Sequence, residues 1–158
     1  IVGNHEYFHG VKPIIDYVNS LGIKTLENEN VYIGPKDNGF YLCGVYDRFG
    51  NRYGAYKPDI NKALENTNTH PTVLLAHQPK FIEEIENTVG IDLILCGHTH
   101  GGQIFPFNFL VKLQQPYVRG LNTHNEFTQV YINKGTGFWG PPMRLGASSE
   151  ITFLKLSS

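Results

Sequence analysis

The chain predicts an α/β domain, and three observations carry that expectation. Two short apolar runs, 72–76 and 91–96, have the length and composition of buried strands, each is followed by a histidine, and the stretch between them has helical character. Strand, helix, strand with polar residues at the strand ends is how open α/β sheets gather ligand-binding groups at the carboxyl edges of their strands. The histidines are thus brought together by topology rather than by nearness in sequence.

The remaining elements follow in chain order. Ile1-Val2-Gly3-Asn4 reads as the close of a strand running into a loop. Across residues 12–21, Ile14, Ile15, Val18 and Leu21 share one helical face, Pro13 suits the first turn and Gly22 the C-terminal stop. Strands are expected at 24–26, 31–33 and 40–46, separated by Asn, Gly, Pro and Asp turn residues. Asp59 is placed to cap a short helix reaching about residue 66. The strand 72–76 delivers His77, a crossover helix covers 80–87, and the strand 91–96 delivers Gly97 and His98. After an aromatic loop, 105–125, come strands at 128–133 and 150–156, joined by the Gly- and Pro-rich segment 135–146. No internal repeat or low-complexity tract interrupts this order.

Composition narrows the function classes. A length of 158 residues with 41% hydrophobic and 13% aromatic content suits one globular domain with a sizeable core. The formal charge is -1, and Lys and Arg are scattered singly among acidic residues, so no basic face stands ready to neutralise a phosphate backbone; nucleic acid is excluded as a partner. Cys43 and Cys96 each sit inside an apolar run, where a thiol behaves as a small hydrophobe, and both are expected reduced in the core. No run approaches the ~20 apolar residues that span a bilayer.

The chemistry concentrates in three motifs. His98 and His100, at i and i+2 and flanked by Gly97, Gly101 and Gly102, would fill a core poorly but present two imidazoles from one loop well. The glycines let the backbone turn tightly, and neutral imidazole is the commonest nitrogen ligand for Zn, Mn or Fe. His77 ends an apolar strand, and Pro79 stops that strand from continuing. Alone, such a histidine reads more readily as a hydrogen-bonded structural residue. Asn4-His5-Glu6 is weaker still by itself; its value lies in company and order.

Asn-His-Glu after a strand, then a strand-end His, then Gly-His-x-His-Gly-Gly after another strand, resembles the calcineurin-like metallophosphoesterases across nearly the whole chain. The resemblance implies a four-layer α/β/β/α sandwich and two divalent metal ions (Mn, Zn or Fe) bridged by an aspartate, activating an in-line attack on phosphorus. Carried over position by position, it implies Asn4, His77 and His98 as ligands of the second metal and His100 as a ligand of the first. His5 matches the histidine that gives a proton to the leaving alkoxide, or stabilises its charge. Glu6 then orients His5 or its loop. The family's Asp-x-His and Gly-Asp motifs have no counterpart here and would precede Ile1. The chain, residues 1–158, is accordingly expected to be the C-terminal portion of one metallophosphoesterase domain, inactive alone and holding at most one weakly bound metal. A catalytically dead scaffold of the same fold is the alternative.

The runs 97–104 and 137–144, with Glu150-Ile151-Thr152, resemble a membrane-associated bacterial branch of that family, which implies a phosphorylated small-molecule or lipid substrate and peripheral membrane contact. Arg144 is a candidate phosphate contact through its fork of donors, with a surface position or an ion pair to Glu150 as the plainer readings. Phe105, Phe107, Phe109, Leu110, Val111 and Leu113 make an apolar loop directly after the histidine motif. Exposed, they mark a partner, acyl chain or membrane; buried, they are core. Loss of the preceding strands would also bare sheet edges and favour self-association.

Overall fold

The computed structural model of the chain describes residues 1–67, 69–86 and 90–157. It is mixed α/β. The chain begins with a short helix α1 (Glu6–His9) and the amphipathic α2 (Val11–Ser20), which buries Val11 and Ile15. Two strands follow, β1 (Glu29–Ile33) and β2 (Phe40–Gly44), then the short helices α3 (Gly50–Tyr53) and α4 (Ile60–Ala63). β3 (Thr72–Leu75) leads into a 3₁₀ helix, Pro79–Glu84, and β4 (Leu93–Cys96) into a short 3₁₀ turn, His100–Gly102. The helix α5 (Asn108–Gln114) precedes β5 (Gly120–Thr123) and β6 (Gln129–Ile132).

All six strands form one sheet in the order β1-β2-β3-β4-β6-β5. β2, β3, β4 and β6 run parallel, while β1 and β5 are antiparallel edge strands. Burial alternates along β4 and β6: Ile94, Cys96, Val130 and Ile132 are buried, Leu93, Leu95 and Tyr131 half-buried and Gln129 exposed, so one face is packed more completely than the other. Cys43, Leu74, Ile94, Cys96, Val130 and Ile132 supply the core from the sheet, and Phe81, Ile82 and Ile85 close it from the 3₁₀ helix side. Both cysteines are buried free thiols, as expected, and burial pushes their pKa values up to about 11 for Cys43 and about 12 for Cys96. A smaller cluster, Val2, Tyr7, Val11 and Ile15, seats the N-terminal segment.

Several expected elements differ, each for a visible reason. Residues 24–26 are not a strand: the Thr25 N–H and hydroxyl both bond the Asn19 carboxamide, at 2.9 and 3.1 Å, in place of a neighbouring strand. The helix begun by Asp59, whose carboxylate accepts from Lys62 N at 3.0 Å, stops at Ala63. The crossover is 3₁₀ rather than α and begins at Pro79; the expected end at residue 87 lies outside the described residues. The aromatic loop 105–125 contains α5 and β5. Residues 150–156 are extended without strand pairing, yet keep strand-like alternation: Ile151 and Phe153 are 90% and 91% exposed while Thr152 turns inward to Tyr131 and Asn133. Of the two sheets of a sandwich, the described residues form one. Among them no helix is long and apolar enough to cross a membrane.

Candidate metal centre

The carboxyl ends of β3 and β4 meet the loop that opens the chain. His77 directly follows β3 and its neighbour, and its carbonyl accepts from Gly97 N at 3.0 Å, which locks the two histidine loops side by side. His98 and His100 adopt positive φ, 65° and 50°, a region that costs a residue with a Cβ and persists only where the surroundings enforce it. Here the enforcement is local: Thr99 accepts from Gly101 N at 3.2 Å and donates to the Val118 carbonyl at 2.6 Å. Gly102 is required as well, because a Cβ there would stand 2.5 Å from Asn108 Cβ.

The N-terminal loop is fixed by Glu6, whose carboxylate accepts from Gly3 N at 2.7 Å, so Glu6 holds the loop. That places Asn4 Oδ1 3.0 Å from His77 Nε2 and 3.2 Å from His98 Nδ1. The two imidazoles stand edge-on, with ring centroids 5.1 Å apart. Burial drives His77 down to about 3 and His98 to about 4, with neighbouring histidines adding to the effect, and burial likewise lowers His100. All three are therefore neutral at pH 7; in the metal-free chain His77 Nε2 and His98 Nδ1 donate to Asn4 Oδ1, and the other tautomer of each would turn a lone pair to a metal.

The donor set can be tested against a metal by geometry alone. Two ligands each ~2.1 Å from one ion stand roughly 3.0–3.4 Å apart at bond angles between about 90° and 109°. The Asn4–His77 and Asn4–His98 separations fall in that range. Among the described residues no three His, Cys, Asp or Glu side chains gather as a metal group, so the set is two histidines and an asparagine, with no carboxylate. It fits one divalent ion incompletely.

His5 and His100 line the same cavity of about 400 Å³ as these three residues. His5 is exposed at the N-terminus of α1. Arg144 lies behind His100: its guanidinium donates to the carbonyls of His100 (3.2 Å), Lys134 (2.8 Å) and Gly135 (3.1 Å) and reaches His100 Nδ1 at 3.3 Å. Glu150 pairs with Lys134 at 2.9 Å instead. A larger cavity of about 780 Å³ sits at the opposite, amino ends of the parallel strands, away from the histidines.

Two residues that sequence reasoning passed over support the site. Asp47, 2% exposed, accepts from Gln78 Nε2 at 2.8 Å and from Phe49 N at 2.7 Å, while its carbonyl accepts from the Tyr7 hydroxyl at 3.2 Å. It ties the residue after His77 to the helix after His5. Burial raises its pKa, and its Oδ2 has no hydrogen-bond partner among the described residues. Gln103, fully buried, bonds the backbone of Trp139 at both ends of its carboxamide. Nothing in the sequence distinguishes Asp47 from a strand-end turn residue; Gln103, closing the glycine run, carried a faint signal.

A sheet whose strand ends present neutral histidines and an asparagine to one cavity defines a candidate metal-dependent hydrolase site. The calcineurin-like phosphoesterase profile matches residues 1–102, and the chain belongs to that family. It is 49% identical over 157 residues to an uncharacterized metallophosphoesterase of Helicobacter pylori, covering 99% of this chain and 41% of the relative. A Campylobacter jejuni metallophosphoesterase is 44% identical over 98% of this chain and 41% of its own length. A Bos taurus transmembrane protein with a metallophosphoesterase domain is 41% identical, covering 100% of this chain and 38% of the relative. The chain thus spans about two fifths of the length of these curated relatives. No solved structure matches it at a significant level.

Proposed function

We propose that this chain contributes the histidine-bearing part of a metal-dependent phosphoester hydrolase centre. The observation that carries the proposal is the convergence of Asn4 Oδ1 on His77 Nε2 and His98 Nδ1 at ligand-to-ligand distances, with both imidazoles kept neutral by burial. Asn4, His77 and His98 would hold a divalent ion, which would supply Lewis-acid polarisation of a phosphoryl oxygen and charge neutralisation. His100, on the same cavity, is the side chain available to a second ion. His5, exposed at the cavity wall, is placed to give a proton to the departing alkoxide. Arg144 holds His100 in place, and a direct grip on phosphate requires release of some of its carbonyl bonds. Since no carboxylate joins the donor set among the described residues, the chain by itself is expected to hold at most one ion, weakly, and to be inactive.

Equilibrium dialysis against Mn²⁺, with and without inorganic phosphate, tests this directly. About one Mn²⁺ per chain is expected, more tightly held when phosphate is present and lost in His77→Ala. Two ions per chain with rapid hydrolysis of p-nitrophenyl phosphate would overturn the half-centre reading. No bound Mn²⁺ at all would overturn the metal-holding role proposed for Asn4, His77 and His98 and favour a non-catalytic scaffold.

A further inference from the structure

Building on that reading, we propose that the cavity beside the histidines receives the apolar organic group of the phosphoester, an alkyl chain or an aromatic ring, against Phe138 and Trp139. These two residues then decide which phosphoesters the centre accepts.

The cavity offers two kinds of surface. Asn4, the histidines, Thr99, Gln114 and Gln115 supply its polar surface; Val111, Phe138 and Trp139 supply its apolar surface. Among the lining residues there is no Asp, Glu, Lys or Arg. A charged leaving group would therefore find no ionic partner among these residues beyond the histidines, whereas an apolar one finds aromatic surface within the same 400 Å³. Phe138 and Trp139 are 57% and 41% exposed, so much of that surface remains available for burial against a ligand.

Their exposure is not that of a loosely held loop. Gln103, which is fully buried, donates from Nε2 to the Trp139 carbonyl at 2.7 Å and accepts from Trp139 N at 2.8 Å. Placing a carboxamide wholly out of water is unfavourable unless its bonds are made, and here both are made to one residue's backbone. On the other side of Phe138, Arg144 Nε donates to the Gly137 carbonyl at 2.9 Å. The aromatic pair is thus pinned from both flanks. Both pins reach back to the histidine loop: Gln103 is three residues past His100, and Arg144 bonds His100 itself. A backbone held this way needs little ordering when a ligand packs on its aromatic side chains, which favours their use as recognition surface.

Trp139 is the chain's single tryptophan, so its fluorescence reports on the pocket without any need for turnover. The chain with excess Zn²⁺ is titrated with methylphosphonate, octylphosphonate and phenylphosphonate, with affinities taken from calorimetry. Binding of the octyl or phenyl compound should move the emission to shorter wavelength and be at least roughly tenfold tighter than that of methylphosphonate. In the Phe138→Ala/Trp139→Ala double variant, followed by calorimetry, that preference should fall to less than about threefold while methylphosphonate affinity holds. A preference for octyl over phenyl identifies an alkyl chain, and the reverse an aryl group; both support the proposal. Equal affinity for all three ligands overturns it and leaves the metal reading standing. Failure of any phosphonate to bind in the presence of Zn²⁺ overturns the metal reading, and this inference with it. Octylphosphonate binding that ignores the double substitution also overturns it.

Discussion

His77 works as a ligand candidate because two unrelated constraints act on one ring. Burial keeps it neutral, and Gly3 lets the N-terminal loop pass close: a Cβ at Gly3 would stand 2.8 Å from His77 Nε2. Gly3→Ala should therefore displace the imidazole and weaken Zn²⁺ affinity roughly tenfold or more, with a change in Tm of only a few degrees; calorimetry and thermal melts separate the two effects. The same burial makes stability depend on pH. His77 and His98 titrate near 3 and 4 when folded and near 6.5 when unfolded, so above pH 6.5 neither protonation state changes on folding. As pH falls from 6.5 towards 4, the unfolded chain takes up protons that the folded chain refuses, and stability declines. The urea midpoint of the metal-free chain should drop through that window, and His77→Gln should flatten the drop; a drop unaltered by that substitution would show that other groups cause it. Asn4, His77 and His98 were legible as a set only through the resemblance to the metallophosphoesterases, since Asn4-His5-Glu6 is weak by itself and His77 alone reads as a structural residue. Asp47 was not, since its importance lies in being enclosed, a tertiary property that one acidic letter does not reveal.

At the level of elements, the central strands and α2 were legible because an apolar run or a helical stripe specifies them locally. The failures fall where a partner decides the outcome. Residues 24–26 lost their strand to the Asn19 side chain. The segment 105–125 was masked by its own composition: in α5, Asn108, Lys112 and Gln114 are interspersed among the apolar residues, and Phe109, Leu110 and Leu113 remain exposed rather than forming a buried stripe. Phe105 and Phe107 are exposed with them, so these side chains are not core in the described structure. The 135–146 loop owes its shape to Gln103 and Arg144 rather than to its glycines alone. Gln103→Leu leaves the Trp139 N–H and carbonyl without their partner, which should cost about 1–3 kcal/mol in urea denaturation and move Trp139 emission to longer wavelength. An unchanged spectrum would mean the loop is held by other contacts.

Across the whole molecule, one six-stranded sheet carries the site at the carboxyl ends of its parallel strands, while large apolar side chains remain exposed elsewhere. Ile151 and Phe153 project from an extended segment with strand-like alternation, the kind of surface that pairs with another chain. Sedimentation should show mass rising with concentration, and Phe153→Asp should suppress the rise; a monomer at all concentrations would contradict this. The central claim concerns the metal, and anomalous diffraction from crystals soaked in Zn²⁺ tests it most directly. A centre on these residues predicts a peak within bonding distance of Asn4 Oδ1, His77 Nε2 and His98 Nδ1. A peak elsewhere, or none at any Zn²⁺ concentration, would contradict it.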